Sequence, residues 1–194
     1  MGKNFYLADT HWSHTNVLDF DNRPWCTIEE HDKALIDNWN AVVANEDTVY
    51  ILGDFHWGKE ADWINVLEQL NGNKVLIRGN HDIMPQKSKR YFQDIKDYKE
   101  ISDKGRKVVL CHYPMPYFKN HYYGWYHLYG HVHSTFEYNM AEHQRHLMEE
   151  LYSIPCEMYN CGAMMPWIQY TPRTLDEIIE GYKQYKMIEG RINK

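Results

Sequence analysis

The sequence predicts an α/β domain, and three observations predict it. Apolar runs of strand length recur along the chain, amphipathic helical patterns with their own start signals lie between them, and Gly- or Asn-containing turns separate several of the two. The first run, FYLA over 5–8, is the first strand and leads into Asp9. Over 28–43, Leu35, Trp39, Val42 and Val43 share a helical face, and Thr27 with Glu30 forms a capping box at its start. TVYIL over 48–52 is the second strand. Ile64, Leu67 and Leu70 then repeat the helical spacing over 60–70, ahead of the turn Asn71-Gly72-Asn73 and the third strand, KVLIR over 74–78. This alternation predicts a largely parallel sheet in the first half of the chain.

The second half predicts hairpins, with short strands near 97–102, 107–111, 126–130 and 157–161 and a helix over 140–151. The last helix spans 175–188. Leu175, Ile178, Ile179 and Tyr182 share its face, and Thr174 with Glu177 makes a second capping box. No repeat, linker or low-complexity segment interrupts the pattern, so the expectation is one domain over 1–194 closed by a helix at about 174–188.

Composition narrows the function classes. With 43% hydrophobic residues in 194 positions the chain can bury a substantial core. No run approaches the roughly 18 apolar residues of a membrane span, and Met1-Gly2-Lys3-Asn4 leads straight into the first strand without a signal-peptide pattern, so a cytoplasmic location is expected. The four cysteines (Cys26, Cys111, Cys156, Cys161) are scattered and read as reduced thiols. A net charge of -6 argues against strong binding to a nucleic-acid backbone or an anionic lipid surface, while leaving room for a local cationic site. The short basic cluster Lys87-Ser88-Lys89-Arg90 reads as a solvated helix start rather than a nucleic-acid track. Oligomeric state has no sequence signal.

Chemistry gathers just past the strand-like runs. Asp9-Thr10-His11 follows the first, Gly53-Asp54 the second, Gly79-Asn80-His81-Asp82 the third, and His112 follows KVVLC over 107–111. The last cluster is Gly130-His131-Val132-His133. In open α/β sheets ligands bind at the carboxyl edge of the strands, so these five clusters are expected to converge there. Asp9 with His11, and His131 with His133, are each two apart and can point to one side of an extended segment. Each cluster alone also fits a cap or a turn.

The ordered set Asp9/His11, Gly53-Asp54, Gly79 to Asp82, His112 and Gly130 to His133 resembles the calcineurin-like metallophosphoesterase superfamily. Asp9 to Asn16, Asp21 to Pro24, Gly53 to Phe55, Ile77 to Asp82 and His112 to Pro114 are similar to its small, cap-less bacterial and phage members. The resemblance implies a two-layered sheet sandwich flanked by helices, in the order α-β-β-α, with the metal site at the C-terminal edge of the strands. It implies one metal on Asp9, His11 and His133, another on Asn80, His112 and His131, and Asp54 bridging both. Carboxylate, amide and imidazole donors without thiolate suit Mn²⁺ first, with Fe²⁺, Zn²⁺ or Ni²⁺ as the other fits.

The activity implied is hydrolysis of a phosphoester by direct in-line attack of a metal-bound hydroxide, a phosphodiester being favoured because no cap encloses a small monoester. His81 is the implied acid at the leaving oxygen, and Asp82 would orient its ring. Arg78 and Asn80 are the implied substrate contacts, although Arg78 also fits a surface ion pair. His14, Asn16 and Arg23 can approach the phosphate or simply belong to a surface loop, and His143 and His146 read as a solvated helix face. The aromatic stretch 113–129 is either a loop packed on the core or a wall for a flat, nucleotide-like leaving group. Asn160 resembles the Asn of an N-x-G element. The family often has an acidic residue where this chain has Met164, and its 134–156 stretch is long, so substrate identity is the least determined property. The competing function is a catalytically silent metal-binding scaffold of the same fold.

Overall fold

Strands buried on both faces read as continuous apolar runs, because helices cover a parallel sheet on each side. In the computed structural model, which describes residues 2–192, β1 (Asn4–Leu7), β2 (Thr48–Ile51), β3 (Asn73–Ile77) and β4 (Asp94–Lys96) form an all-parallel sheet in that order. A second sheet contains β5 (Tyr98–Asp103), β6 (Arg106–Cys111), β7 (Tyr126–Tyr129) and β8 (Met158–Asn160). The fold is therefore α/β with two sheets flanked by helices, the class that the periodicity predicts and the sheet arrangement that the resemblance implies.

Hairpins in the second half give way to a mixed sheet. Only β5 and β6 pair antiparallel, across a turn at Lys104-Gly105; β6–β7 and β7–β8 are parallel. A parallel pair needs a crossover connection of a dozen or more residues. The aromatic segment 112–125 supplies the first, with a 3₁₀ turn at His121–Tyr123, and α4 (Phe136–Tyr152) the second. The α4 helix begins earlier than its apolar pattern suggests, because the Thr135 hydroxyl accepts the Glu137 N–H.

The remaining helices are α1 (Val17–Phe20), α2 (Ile28–Val42), α3 (Glu60–Gln69) and α5 (Leu175–Ile192). Thr27 caps α2 by accepting from Glu30 N at 3.2 Å, and Thr174 with Glu177 caps α5. Leu35 and Trp39 of α2, Trp63 and Leu67 of α3, and Ile178 and Tyr182 of α5 enter one core with Leu7, Ile51 and Phe55. Val42, expected on the buried face of α2, is half-exposed. A smaller core of Val109, Phe118, Tyr129, Met148 and Met158 lies with α4 and the 112–125 crossover. Among the described residues no helix is long and apolar enough to cross a membrane.

The two sheets are stitched together beyond their strand ends. Ala8 N donates to Cys161 O at 2.8 Å, Ala163 N to Ala8 O at 2.9 Å, and Tyr6 N to Arg173 O at 2.8 Å. The chain leaving β1 thus runs beside the chain leaving β8, which brings 9–11 against 130–133.

Candidate metal centre

The strand ends deliver the side chains, and left-handed backbone aims them. Asp9, His11, Asp54, His131 and His133 have φ of 53°, 52°, 50°, 73° and 47°. This region costs a residue with a Cβ of order 1 kcal/mol or more, and such positions gather at functional sites. The two-apart pairs therefore do not meet as neighbours on an extended strand; paired left-handed turns converge them.

Hydrogen bonds hold these turns. Asp9 N donates to Gly53 O and His11 N to Asp54 O, each at 3.0 Å, while His131 N donates to the Asp9 carboxylate at 3.1 Å. His81 N donates to Asp54 Oδ1 at 2.9 Å. Gly53 and Gly79 let the loops close on one another. A Cβ on Gly53 would stand 2.2 Å from His112 Nδ1, and one on Gly79 2.2 Å from Asp54 Oδ1.

Two donor sets result. One ligand atom from each of Asp9, His11 and His133 lies within 4.8 Å of the others, and so does one from each of Asp54, His112 and His131. Asn80 joins the second, with Oδ1 3.0 Å from His112 Nε2. His112 Nδ1 donates to Leu52 O at 2.8 Å and His133 Nδ1 to Asp21 Oδ1 at 2.7 Å, so in each ring Nε2 is left facing the centre.

These donors fit divalent cations. Asp9 and Asp54 are 0% and 2% exposed, and among the described residues only histidines approach their carboxylates as ion-pair partners, at 3.6–4.0 Å. Buried carboxylates without a strong cation are costly. His11 Nε2 lies 3.3 Å from His133 Nε2, which sets two imidazole nitrogens against each other unless a proton or a cation sits between them.

The surroundings tune each group. Burial raises the Asp9 carboxyl above its usual range, with the His133 and His112 rings pulling against it. Burial, then the charges of His133 and Arg23, hold His11 well below the ordinary imidazole range, the direction that keeps its ring neutral. His131 is lowered by burial and by His112. For His133 burial opposes the charged form, yet the hydrogen bond from its ring to Asp21 and the charges of Asp9 and Asp21 raise it overall.

Two expectations change here. Asp82 does not orient the His81 ring: its carboxylate accepts from Gly79 N at 2.7 Å, Phe55 N at 2.8 Å and Asp54 N at 3.0 Å, clamping two ligand loops together. Burial pushes this carboxyl up to about 6, against the pull of those amides. Arg23 does not face a phosphate; it is buried and bonded to Asp21 and to the carbonyls of Asp9 and Thr10. Arg78 takes the surface ion pair that its position also fits, exposed and bonded to Asp97 at 2.8 and 2.6 Å.

Asn160 supports the His133 loop, donating to His133 O at 3.1 Å. His81 is exposed, with its ring 6.1 Å from that of His11 and 5.1 Å from Trp57. His14 lies between His11 and Trp57, at ring distances of 5.5 and 4.6 Å, Asn16 is exposed at the N-terminus of α1, and His143 and His146 are exposed on α4.

The aromatic segment divides. Tyr113 stands beside the centre, with its ring 4.7 Å from His131 and 5.0 Å from His112, whereas Phe118 packs in the smaller core. Sequence reading missed two other aromatics at the rim, Phe20 and Trp57, and the role of Asp21. Their only sequence signal is closeness in the chain to His14, Asp54 and the Asp21-Asn22-Arg23-Pro24 stretch.

Comparison with known proteins agrees with this architecture. The model of the calcineurin-like phosphoesterase superfamily domain matches residues 5–166. An uncharacterized protein of Methanocaldococcus jannaschii is 33% identical over 190 residues, 97% of this chain and 96% of its own length. The gene 66 protein of Mycobacterium phage L5 is 36% identical over 85 residues, 42% of this chain and 41% of that protein. A protein of unknown function from Aquifex aeolicus, solved as a crystal structure, superposes with a TM-score of 0.69 at 27% identity, covering 93% of this chain and 99% of that one.

Proposed function

Because the chain belongs to the calcineurin-like phosphoesterase superfamily, and so is a metallophosphoesterase, we propose that it hydrolyses phosphodiesters in a single in-line displacement at a two-metal centre. The observation that carries this reading is the pair of adjacent donor sets, three ligand atoms each within 4.8 Å, built around two buried carboxylates. Asp9, His11 and His133 would hold one ion, Asn80, His112 and His131 the other, and Asp54 would serve both. Bound there, two divalent ions supply charge for the phosphoryl oxygens and lower the pKa of the attacking water. The carboxylate, amide and imidazole set favours Mn²⁺, with Fe²⁺, Zn²⁺ and Ni²⁺ as the other fits.

The protein groups then divide the work. His81, exposed beside the centre, donates a proton to the leaving oxygen. Asn80 places its amide where it can also orient a phosphoryl oxygen. Asp82 keeps the His81 loop and the Asp54 loop in register through its three amide bonds. Arg78 borders a groove of about 520 Å³ lined also by Asp82, Asp97 and Tyr113, where a substrate anion would compete with Asp97 for the guanidinium. A second groove of about 690 Å³ is lined by Thr15, Leu18, Asn22 and Trp25. One groove borders Asp82 and Tyr113 and the other runs along residues 15–26, and a diester is the substrate whose two substituents would occupy both. Half-exposed Phe20, Trp57 and Tyr113 present ring surface to a flat, nucleotide-like substituent. A cytoplasmic location and one functional domain over 1–194 belong to the same reading.

The test compares bis(p-nitrophenyl) phosphate with p-nitrophenyl phosphate in Mn²⁺, for the wild type and Asp54→Asn. The expected result is a higher kcat/KM for the diester and a loss of about 10²-fold or more in the variant, since Asp54 serves both ions. Equal, negligible rates for both proteins on both esters would sink the proposal.

A further inference from the structure

Arg23 has five N–H donors, and each has an acceptor. Nε and one Nη2 hydrogen go to Asp21 Oδ2 at 3.2 and 2.9 Å, the other Nη2 hydrogen to Asp9 O at 2.7 Å, and the two Nη1 hydrogens to Thr10 O and His31 Nε2, both at 2.7 Å. The guanidinium is buried, so it has neither water nor substrate to bind. Its partner Asp21 uses the other oxygen, Oδ1, to accept from His133 Nδ1 at 2.7 Å. His31 can accept at Nε2 because its Nδ1 donates to Asp32 Oδ1 at 2.8 Å, and Asp32 Oδ2 in turn accepts Ser13 N at 3.0 Å.

The network grips one loop. Asp9, His11 and Ser13 are all left-handed, with φ of 53°, 52° and 61°. Left-handed residues at alternate positions turn the carbonyls of this loop away from regular pairing, and a buried carbonyl left without a donor costs about 1–3 kcal/mol. Arg23 takes up the two carbonyls of Asp9 and Thr10, Asp32 the amide of Ser13, and Asp21 the outer nitrogen of His133. Every one of these bonds ends on the Asp9, His11 and His133 side. The Asp54, Asn80, His112 and His131 side is braced by other groups, Leu52 O on His112 and the Asp82 carboxylate on the Asp54 loop, and meets the Asp9 loop where His131 N donates to the Asp9 carboxylate and His11 N to Asp54 O.

We infer that Asp21 and Arg23 are positioning residues that set the metal affinity of the Asp9, His11 and His133 cluster and leave the other cluster's affinity to Asp82 and Leu52. This rests on the two-metal reading above. Arginine is needed because its planar fork directs five N–H donors onto four acceptor atoms in fixed directions, whereas lysine offers three donors from one atom. Asp21 is needed because its charge both balances the buried guanidinium and fixes the His133 ring with Nε2 toward the centre.

The experiment titrates Mn²⁺ alone into chelator-stripped protein by calorimetry, for the wild type, Asp21→Asn and Arg23→Lys, with folding of each checked by circular dichroism in chelator. Two sites are expected in the wild type. In each variant one site weakens by about 10–100-fold, the usual effect of removing a group that orients a ligand, and the other stays within about twofold. A merely structural role would not weaken one site selectively. Asp21→Asn, nearly isosteric, carries the test if Arg23→Lys does not fold. Two unchanged sites, parallel weakening of both, or failure of both variants to fold would each overturn the inference. A wild type that binds no Mn²⁺ would instead sink the two-metal reading, and this one with it.

Discussion

His81 is the residue whose role is most open to direct test. Its backbone N–H is bound to Asp54 Oδ1, while its ring stays exposed near His11 and Trp57, and among the described residues the ring makes no hydrogen bond to another side chain. A group poised in this way can protonate a leaving oxygen without first breaking a bond. His81→Ala should lower kcat by about 10²-fold or more for an alkyl leaving group, and by much less for p-nitrophenolate, which leaves without help. Equal losses for both leaving groups would remove the acid role, because a simple binding defect does not depend on leaving-group basicity. The ligand candidates were readable as residue types placed after strands. The roles of Asp82 and Arg23 were not, because a carboxylate or guanidinium looks the same in a sequence whether it faces a substrate or a buried amide.

At the level of elements, the 112–125 crossover is pinned by a histidine inside β7. His127 is fully buried; its Nδ1 donates to Val109 O at 3.2 Å and its Nε2 accepts Met115 N at 3.1 Å, so both nitrogens are used in the neutral ring. Burial lowers its pKa from 6.5 to about 4. Between those values the unfolded chain binds a proton that the folded chain does not. The contribution is therefore complete above pH 6.5 and is lost as pH falls toward 4, by on the order of 3 kcal/mol. Urea midpoints of the chelator-treated protein should fall across this window, and His127→Gln should flatten that part of the profile. An identical pH slope in the variant would show that other groups carry it. The same crossover explains why hairpins were expected where parallel strands occur. Short apolar runs look alike in either orientation, and only the long connections, 112–125 and α4, decide the direction of β7 and β8.

Across the whole molecule, the centre joins the two sheets where β1 and β8 leave side by side. Metal binding should therefore report on global stability. Asp9 and Asp54 are buried without a strong cation partner among the described residues, so a ligand that binds only the folded state adds about 2.7 kcal/mol at a hundredfold excess over Kd. For a chain of this size that is a rise of roughly 5–10 °C in melting temperature. Scanning fluorimetry with and without Mn²⁺ measures it, and a melting temperature indifferent to saturating Mn²⁺ would count against the centre. What the sequence determined by itself was local: strands and helices from periodicity, helix starts from Thr27 and Thr174, and a donor set whose chemistry follows from residue type. The tertiary structure alone decided how those donors are aimed and braced. Asp82 meets Asp54 across 28 residues, Asp21 meets His133 across 112, and Asp9 meets His131 across 122. Such partners exist only once the sheets have packed, because a hydrogen bond depends on distance and angle in space and leaves no period in the chain.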